Sequence, residues 1–219
     1  MKDLIVFGAG PFAELAHYYF ERDSGYKVAA FTLDSAFLSE SNFQGRPVVP
    51  FETLEKEFPP ERCDLFVAMG IQKVNRQRAT KAAEAREKGY ALASFLSSKA
   101  IAPAELILRP NSFVMEGVHV MPFVTIGWDT MIWPGSVIGF KSRIGDHCWL
   151  VATTFGESVT VGDYTFIGLG STIAPSLSIG SENVIGAGSL IMKDTKDFEV
   201  FKGEATVPSR VPSYRLRRI

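Results

Sequence analysis

Apolar positions along this chain follow two different rhythms. Up to about residue 96, short apolar runs alternate with stretches of helical composition. Asp3 to Phe7 reads as a strand, Gly8 to Ala13 as a glycine turn, and Glu14 to Glu21 as a helix. Lys27 to Phe31 is a second strand, ending in Thr32-Leu33-Asp34. Pro47 to Pro50 is a short extended piece, and Phe51 to Phe58 is a brief helix. Asp64 to Met69 is another strand, closed by Gly70. Asn75 to Lys88 is rich in Ala, Glu, Arg and Lys, which are strong helix formers. Gly89 ends it. Tyr90 to Leu96 reads as one further strand. Strands alternating with helices predict a small parallel α/β sheet.

From Leu108 onward the period is six. Aliphatic residues recur at Leu108, Val114, Val120, Ile126, Ile132, Ile138, Ile144 and Leu150, and after a slip of one residue at Val161, Ile167, Ile173, Ile179, Ile185 and Ile191. Seven of these are followed directly by glycine. Neither the helical nor the simple strand period gives such a pattern. A period of six means short strands separated by tight corners, stacked as a parallel β-helix with each aliphatic pointing inward. Fourteen positions in two registers exclude a β-sandwich with chance spacing. The pattern divides the chain into an α/β domain at 1–97 and a β-helix domain with a C-terminal tail at 98–219. After Met192, Lys193 to Asp197 is a polar turn, Val200 to Gly203 adds one more short strand, and Pro208 and Pro212 leave an extended tail.

Composition narrows the partners. The 219 residues are 46% hydrophobic, enough for buried cores, and the net charge of −1 provides no field to draw nucleic acid or an anionic membrane. The one basic cluster, Arg210, Arg215, Arg217 and Arg218, reads as a solvated tail. Cys63 and Cys148 are too few for a disulfide framework and read as small buried hydrophobes. No apolar run approaches the ~20 residues that span a bilayer. The first strand starts at once, leaving no room for a signal peptide, so a cytoplasmic protein without membrane insertion is expected. No His/Cys/Asp/Glu cluster has ligand spacing, so no metal is expected.

Two places carry candidate chemistry. Gly8, Gly10 and Ala13 form a GxGxxA turn between a strand and a helix, and Asp34 follows the second strand. A nucleotide-binding βαβ unit uses such an acid for a ribose or base. Only three histidines are available as bases: His17 in the first helix, His119 before inward Val120, and His147 after Ile144-Gly145-Asp146. His147 is the best placed, with Asp146 or Glu157 as a partner.

The whole pattern, from Leu4 to Gly203, resembles the hexapeptide-repeat bacterial sugar acyltransferases, which include sialic-acid O-acetyltransferases and N-acetyltransferases of UDP- and GDP-linked 4-amino sugars. The resemblance is carried by Val6-Phe7-Gly8-Ala9-Gly10, Asp34, Gly45-Arg46-Pro47-Val48, Met69-Gly70 before Asn75-Arg76, and Gly186-Ala187-Gly188-Ser189 before Lys193-Asp194. It implies a Rossmann-like α/β domain followed by a left-handed β-helix, three repeats per coil, assembled as a homotrimer. It implies a nucleotide-linked sugar at Gly8, Gly10, Asp34 and Gly70. It implies acetyl-CoA or another acyl-CoA as co-substrate around Gly168, Gly186 and Gly188, where amides beside glycine suit a pantetheine arm, with Lys193 near the CoA phosphate.

The match breaks at the chemistry. Where the family has a catalytic histidine and an acid, this chain has Phe140 and Lys141; a second histidine is replaced by Trp149, an asparagine by Trp133, and the histidine of the glycine turn by Phe12. These aromatics are expected to line a pocket of retained shape, stacking on the sugar or enclosing a larger acyl group, or else to be covered by a neighbouring subunit. A neutral amine attacks a thioester without prior deprotonation, whereas a hydroxyl depends on a base, whose help typically contributes 10²–10⁴-fold. The favoured expectation is therefore an N-acyltransferase acting on a nucleotide-linked amino sugar in surface glycan (lipopolysaccharide) synthesis. The alternatives are an O-acyltransferase using His147 or His119 as base, and a non-catalytic nucleotide-sugar-binding trimer.

Overall fold

The computed structural model describes residues 2–215. Arg217 and Arg218 of the basic tail lie outside the described residues, and Arg210 within it is exposed.

The first part is an α/β sheet. Its strands are β1 (Lys2–Phe7), β2 (Tyr26–Leu33), β3 (Asn42–Phe43), β4 (Arg46–Pro50), β5 (Cys63–Val67) and β6 (Ala91–Leu92), in the order β3-β4-β2-β1-β5-β6. All pairings are parallel except that of β3 with β4. Leu4, Ile5, Val6 and Phe7 of β1 are all buried, as a central parallel strand covered on both faces requires. Helix α1 (Pro11–Asp23) covers one face. Pro11 sets the first helical φ, and Ala13, Ala16, Tyr19 and Phe20 form the buried stripe. Helix α2 (Arg76–Glu87) flanks the other face, and its buried side includes two cations, Arg78 and Lys81, besides Ala82 and Ala85.

The second part is a three-faced prism of two-residue parallel strands, one strand per hexapeptide. Met131 pairs with Trp149 and Phe166 with Val184, so one coil is 18 residues, three repeats. Val114, Ile132, Leu150, Ile167 and Ile185 stack inside, each buried. The slip in the period has a local cause. Phe155 takes the inward place five residues after Leu150, and Val137 accordingly pairs with Thr154, 17 residues on. Val200–Phe201 adds the expected last strand, pairing with Val184–Ile185.

The strand expected over Tyr90 to Leu96 is two strands in two sheets. Ala93 N–H donates to Leu65 O in the α/β sheet at 2.9 Å, and Phe95 N–H donates to Ser112 O in the prism at 2.9 Å. Phe95–Leu96 then pairs with Phe113–Val114. The continuous apolar run hides this switch because both sheets bury it. The two parts consequently share a core: Phe20, Phe66, Phe95, Phe113, Met131 and Trp149 pack together, with Phe95 stacked on Phe113 at 4.7 Å.

Candidate functional site

One corner of the prism carries a ladder of polar and aromatic side chains. Asn111, Asp129, His147, Tyr164 and Glu182 stand at successive coils, each with φ between 52° and 58° among left-handed corners. Asn, Asp and His tolerate that conformation better than most side chains. Stacked coils bring the side chains into contact. Asn111 Nδ2 donates to Asp129 Oδ1 at 2.6 Å, His147 Nδ1 meets Asp129 Oδ2 at 2.8 Å, and the His147 ring stacks on Tyr164 at 4.6 Å.

Helix α2 lies against this corner and completes it. Arg78, 0% exposed, donates from Nε to Asp129 Oδ1 at 2.8 Å, from a terminal nitrogen to Asp129 O at 2.9 Å, and from the other to Asn75 Oδ1 at 3.0 Å. Val67 N–H donates to Asn111 Oδ1 at 2.8 Å, so the end of β5 is tied to the same corner. Asp129 is 1% exposed and accepts from Arg78, Asn111 and His147. With Arg78 and Asn111 donating to one oxygen of this carboxylate, its other oxygen is an acceptor for His147, which favours the imidazole tautomer with the proton on Nδ1. Nε2 is then the basic nitrogen, and it has no hydrogen-bond partner among the described residues.

A cleft of about 490 Å³ opens between α2 and this corner, lined by His147, Tyr164, Trp128, Arg76, Arg86 and Thr80 among others. The Arg86 guanidinium sits over the Trp128 ring at 4.6 Å. Arg76 sits over Tyr164 at 5.1 Å and pairs with Glu182 at 2.6 Å. A base, flat apolar surfaces and cations face one space.

The partner of His147 is Asp129, not the Asp146 or Glu157 that neighbourhood in sequence suggests. Asp146 Oδ1 instead accepts from Trp128 N–H at 2.8 Å. Asp129 was missed because it lies one coil, 18 residues, before His147. His17 packs edge-on against Phe31 at 5.7 Å on α1, where burial lowers its pKa. His119 sits on a prism strand bridged to Ile101, away from this cleft.

The residues expected to hold a nucleotide gather at the carboxyl ends of the α/β strands. Gly8 has φ 128°, and a Cβ there would lie 2.7 Å from Ala68 O. Gly10 caps α1, and Gly70 follows β5. Asp34 is already engaged: Lys81 Nζ donates to it at 2.8 Å, so a ribose would have to share it.

Three of the aromatics expected to line a pocket pack on one another. Phe12 packs on Trp149 at 5.1 Å and Trp133 at 6.1 Å, and Trp133 lies 5.6 Å from Trp149. Trp149 is 6% exposed, with Arg78 over its ring at 5.2 Å. These three rings lie where α1 meets the prism; Trp149 is buried there, whereas Phe12 and Trp133 remain partly exposed. Phe140 is not part of that group. It stands at a different corner, half-buried against Phe123 at 5.6 Å, with Lys141 over its ring.

The amides expected to meet CoA are committed to the coils. Gly168 N–H donates to Ile185 O at 2.7 Å, Gly186 N–H to Phe201 O at 2.7 Å, and Gly188 N–H to Leu169 O at 2.8 Å. What remains open there is a shallow surface at Gly188, Leu190, Val200 and Lys202. Lys193 is exposed on its polar turn. Among the described residues no three His, Cys, Asp or Glu side chains are grouped to hold a metal ion.

The chain thus joins a glycine-turn α/β sheet directly to a prism with an 18-residue coil, an architecture also found in hexapeptide-repeat transferases. The family model "Bacterial transferase hexapeptide (six repeats)" matches residues 107–139. A mutant perosamine N-acetyltransferase from Caulobacter crescentus, in complex with CoA and GDP-perosamine, is similar to 93% of this chain and 94% of its own, with TM-score 0.83 and 27% identity. The acetyltransferase domain of PglB from Neisseria gonorrhoeae, in complex with acetyl coenzyme A, has TM-score 0.81 at 20% identity over 92% of this chain and 96% of its own. WeeI from Acinetobacter baumannii has TM-score 0.59 at 15% identity over 93% and 97%; these last two show the fold alone. No curated protein sequence matches. The prism is thus a left-handed parallel β-helix, and the resemblance to the hexapeptide-repeat bacterial sugar acyltransferases holds over both parts of the chain.

Proposed function

We propose that this protein is an acyl-CoA-dependent N-acyltransferase that acylates the amine of a nucleotide-linked sugar for surface glycan synthesis. The observation that carries the reading is the whole-chain likeness, at 27% identity, to an amino-sugar N-acetyltransferase bound to CoA and GDP-perosamine. The glycine turn at Gly8 and Gly10, with Asp34 and Gly70, holds the nucleotide. Acyl-CoA lies on the coils by Gly168, Gly186 and Gly188, reached through side chains and carbonyls because the glycine amides are taken, with Lys193 near its phosphates. The nitrogen lone pair attacks the thioester carbonyl, the C–N bond forms and the C–S bond breaks. Phe140 and Lys141 stand where the resemblance implies a histidine and an acid, which an amine tolerates better than a hydroxyl. Positioning alone can supply ~7–11 kcal/mol of the barrier.

The chain works as a homotrimer in the cytoplasm. Leu169, Leu190 and Met192 are each at least 60% exposed on the coils, an apolar surface that a second subunit would cover. No described helix is long and apolar enough to cross a membrane.

Release of free CoA from acetyl-CoA, in the presence of UDP-, dTDP- and GDP-linked 4-amino sugars, tests the reading. Turnover with at least one amino sugar is expected. Absence of turnover across the panel with several acyl-CoA donors would overturn it.

A further inference from the structure

Beside the glycine turn lies a smaller cavity, of about 190 Å³. It is lined by Ala9 of that turn, Leu33 at the end of β2, and Ser39, Glu40, Asn42 and Phe43, among others. We propose that this cavity is a nucleobase subsite selective for guanine, with Glu40 as the residue that discriminates, so that the sugar substrate is carried on GDP rather than on UDP or dTDP. This rests on the nucleotide placement at Gly8, Gly10 and Asp34 proposed above.

Position in the fold carries the first step. Ala9 stands between Gly8 and Gly10, and Leu33 directly precedes Asp34. With phosphate at the start of α1 and ribose at Asp34, the base falls beside this cavity. Lys81 donates to Asp34 Oδ1, which leaves Oδ2 to accept from a ribose hydroxyl. The cavity is smaller than one that takes a whole ligand, and it suits a single planar ring system. Its apolar walls include Leu33 and the ring of Phe43, which packs edge-on against Phe31 at 4.9 Å. Charge carries the second step. The lining holds a carboxylate and no lysine, arginine or histidine, so it disfavours phosphate and selects a ligand edge that presents N–H groups. The side chains of Ser39, Glu40 and Asn42 have no hydrogen bond or ion pair among the described residues, so their polar groups are free for a ligand.

The edges of the bases then discriminate. An ionised carboxylate only accepts, through two oxygens. Guanine alone presents two adjacent donors, N1–H and the N2 amino group, with the acceptor O6 beside them. The Glu40 carboxylate matches the two donors, and the Asn42 amide or the Ser39 hydroxyl can donate to O6. Uracil and thymine present one N–H between two carbonyl oxygens, so a carboxylate that meets the N–H also meets an oxygen. Adenine and cytosine set their amino group beside a ring nitrogen that carries a lone pair. Each of these four loses one hydrogen bond and sets an acceptor against an acceptor. A site built to hydrogen-bond a ligand group rejects an analogue that lacks it.

Calorimetric titration of the full chain with GDP, UDP and dTDP tests this without any acyl donor. GDP is expected to bind about 10-fold or more tightly than UDP or dTDP, the effect of one charge-assisted hydrogen bond. Glu40 is exposed on the connection between β2 and β3, so Glu40→Gln is expected to leave Tm unchanged. That variant replaces one acceptor oxygen by a donor, and it is expected to weaken GDP binding about 10-fold while UDP binding stays within about two-fold. Equal binding of the three nucleotides, or tighter binding of UDP or dTDP, overturns the guanine assignment and leaves the nucleotide placement standing. A preference for GDP that survives Glu40→Gln overturns Glu40 and this cavity as its source. Binding of none of the three overturns the subsite together with the nucleotide placement, whereas acyl transfer stands or falls separately on CoA release.

Discussion

Arg78 is the residue on which the candidate site depends most. Its guanidinium is wholly buried and joins α2 to the prism through Asp129. Replacing one member of a buried ion pair leaves the other charge uncompensated, at a cost of about 3–5 kcal/mol. Arg78→Met is therefore expected to lower the unfolding free energy by that order in urea titration, and Arg78→Met with Asp129→Asn, which removes the orphaned charge and keeps a side chain suited to the left-handed corner, to recover part of it. Gly8 is constrained for a different reason. Its φ of 128° and the 2.7 Å approach to Ala68 O make any side chain strained, so Gly8→Ala is expected to cost about 1–3 kcal/mol in the same titration. Residue roles were only partly legible from sequence. The glycine turn announces itself by its place between strand and helix. The Asp129–His147 pair is visible only after the coil length of 18 is applied, because corner residues pair with the coil below rather than along the chain. For Phe12, Trp133 and Trp149 sequence gives residue type without depth, and only Trp149 proves to be buried where α1 meets the prism.

At the scale of elements, the period of six was enough to locate the prism, since each inward aliphatic must repeat where the chain turns. Ile167, buried among its stacked neighbours, illustrates the dependence: Ile167→Ala is expected to destabilise by about 2–5 kcal/mol through lost burial and the cavity left. The junction was less legible. Tyr90 to Leu96 is apolar throughout, and nothing in its pattern says that the chain changes sheets after Ala93. Asp23 secures this junction from α1. Ser97 Oγ and Ser98 N–H donate to its Oδ2 at 2.8 and 2.9 Å. Burial raises the Asp23 carboxyl, but these hydrogen bonds outweigh it and hold the group below its ordinary value. A carboxyl depressed in the folded state stabilises fully above its unfolded pKa and loses that contribution as pH falls through the folded one. Asp23→Asn is accordingly expected to lower Tm at neutral pH and to differ progressively less from the wild type as the solution is acidified through the carboxylate range.

For the molecule as a whole, the two parts share one aromatic core and one buried ionic joint, so they are expected to unfold together in a single transition. Leu169, Leu190 and Met192, each exposed on the coils, are expected to be covered in a trimer. Light scattering of the purified chain should give about three times its 24.1 kDa mass, and Leu190→Glu should shift it toward monomer. Catalysis itself is best read from free thiol. The protein's own cysteines do not obscure that signal: Cys63 is 2% exposed, and Cys148 is buried with its thiol pushed up to about 12 by desolvation. The decisive measurement is CoA release from acetyl-CoA with a panel of UDP-, dTDP- and GDP-linked 4-amino sugars. Thiol release that requires both acetyl-CoA and an amino sugar is the result predicted. Its absence with every amino sugar and every acyl donor tried, while the protein remains folded, would contradict the assignment of acyl transfer.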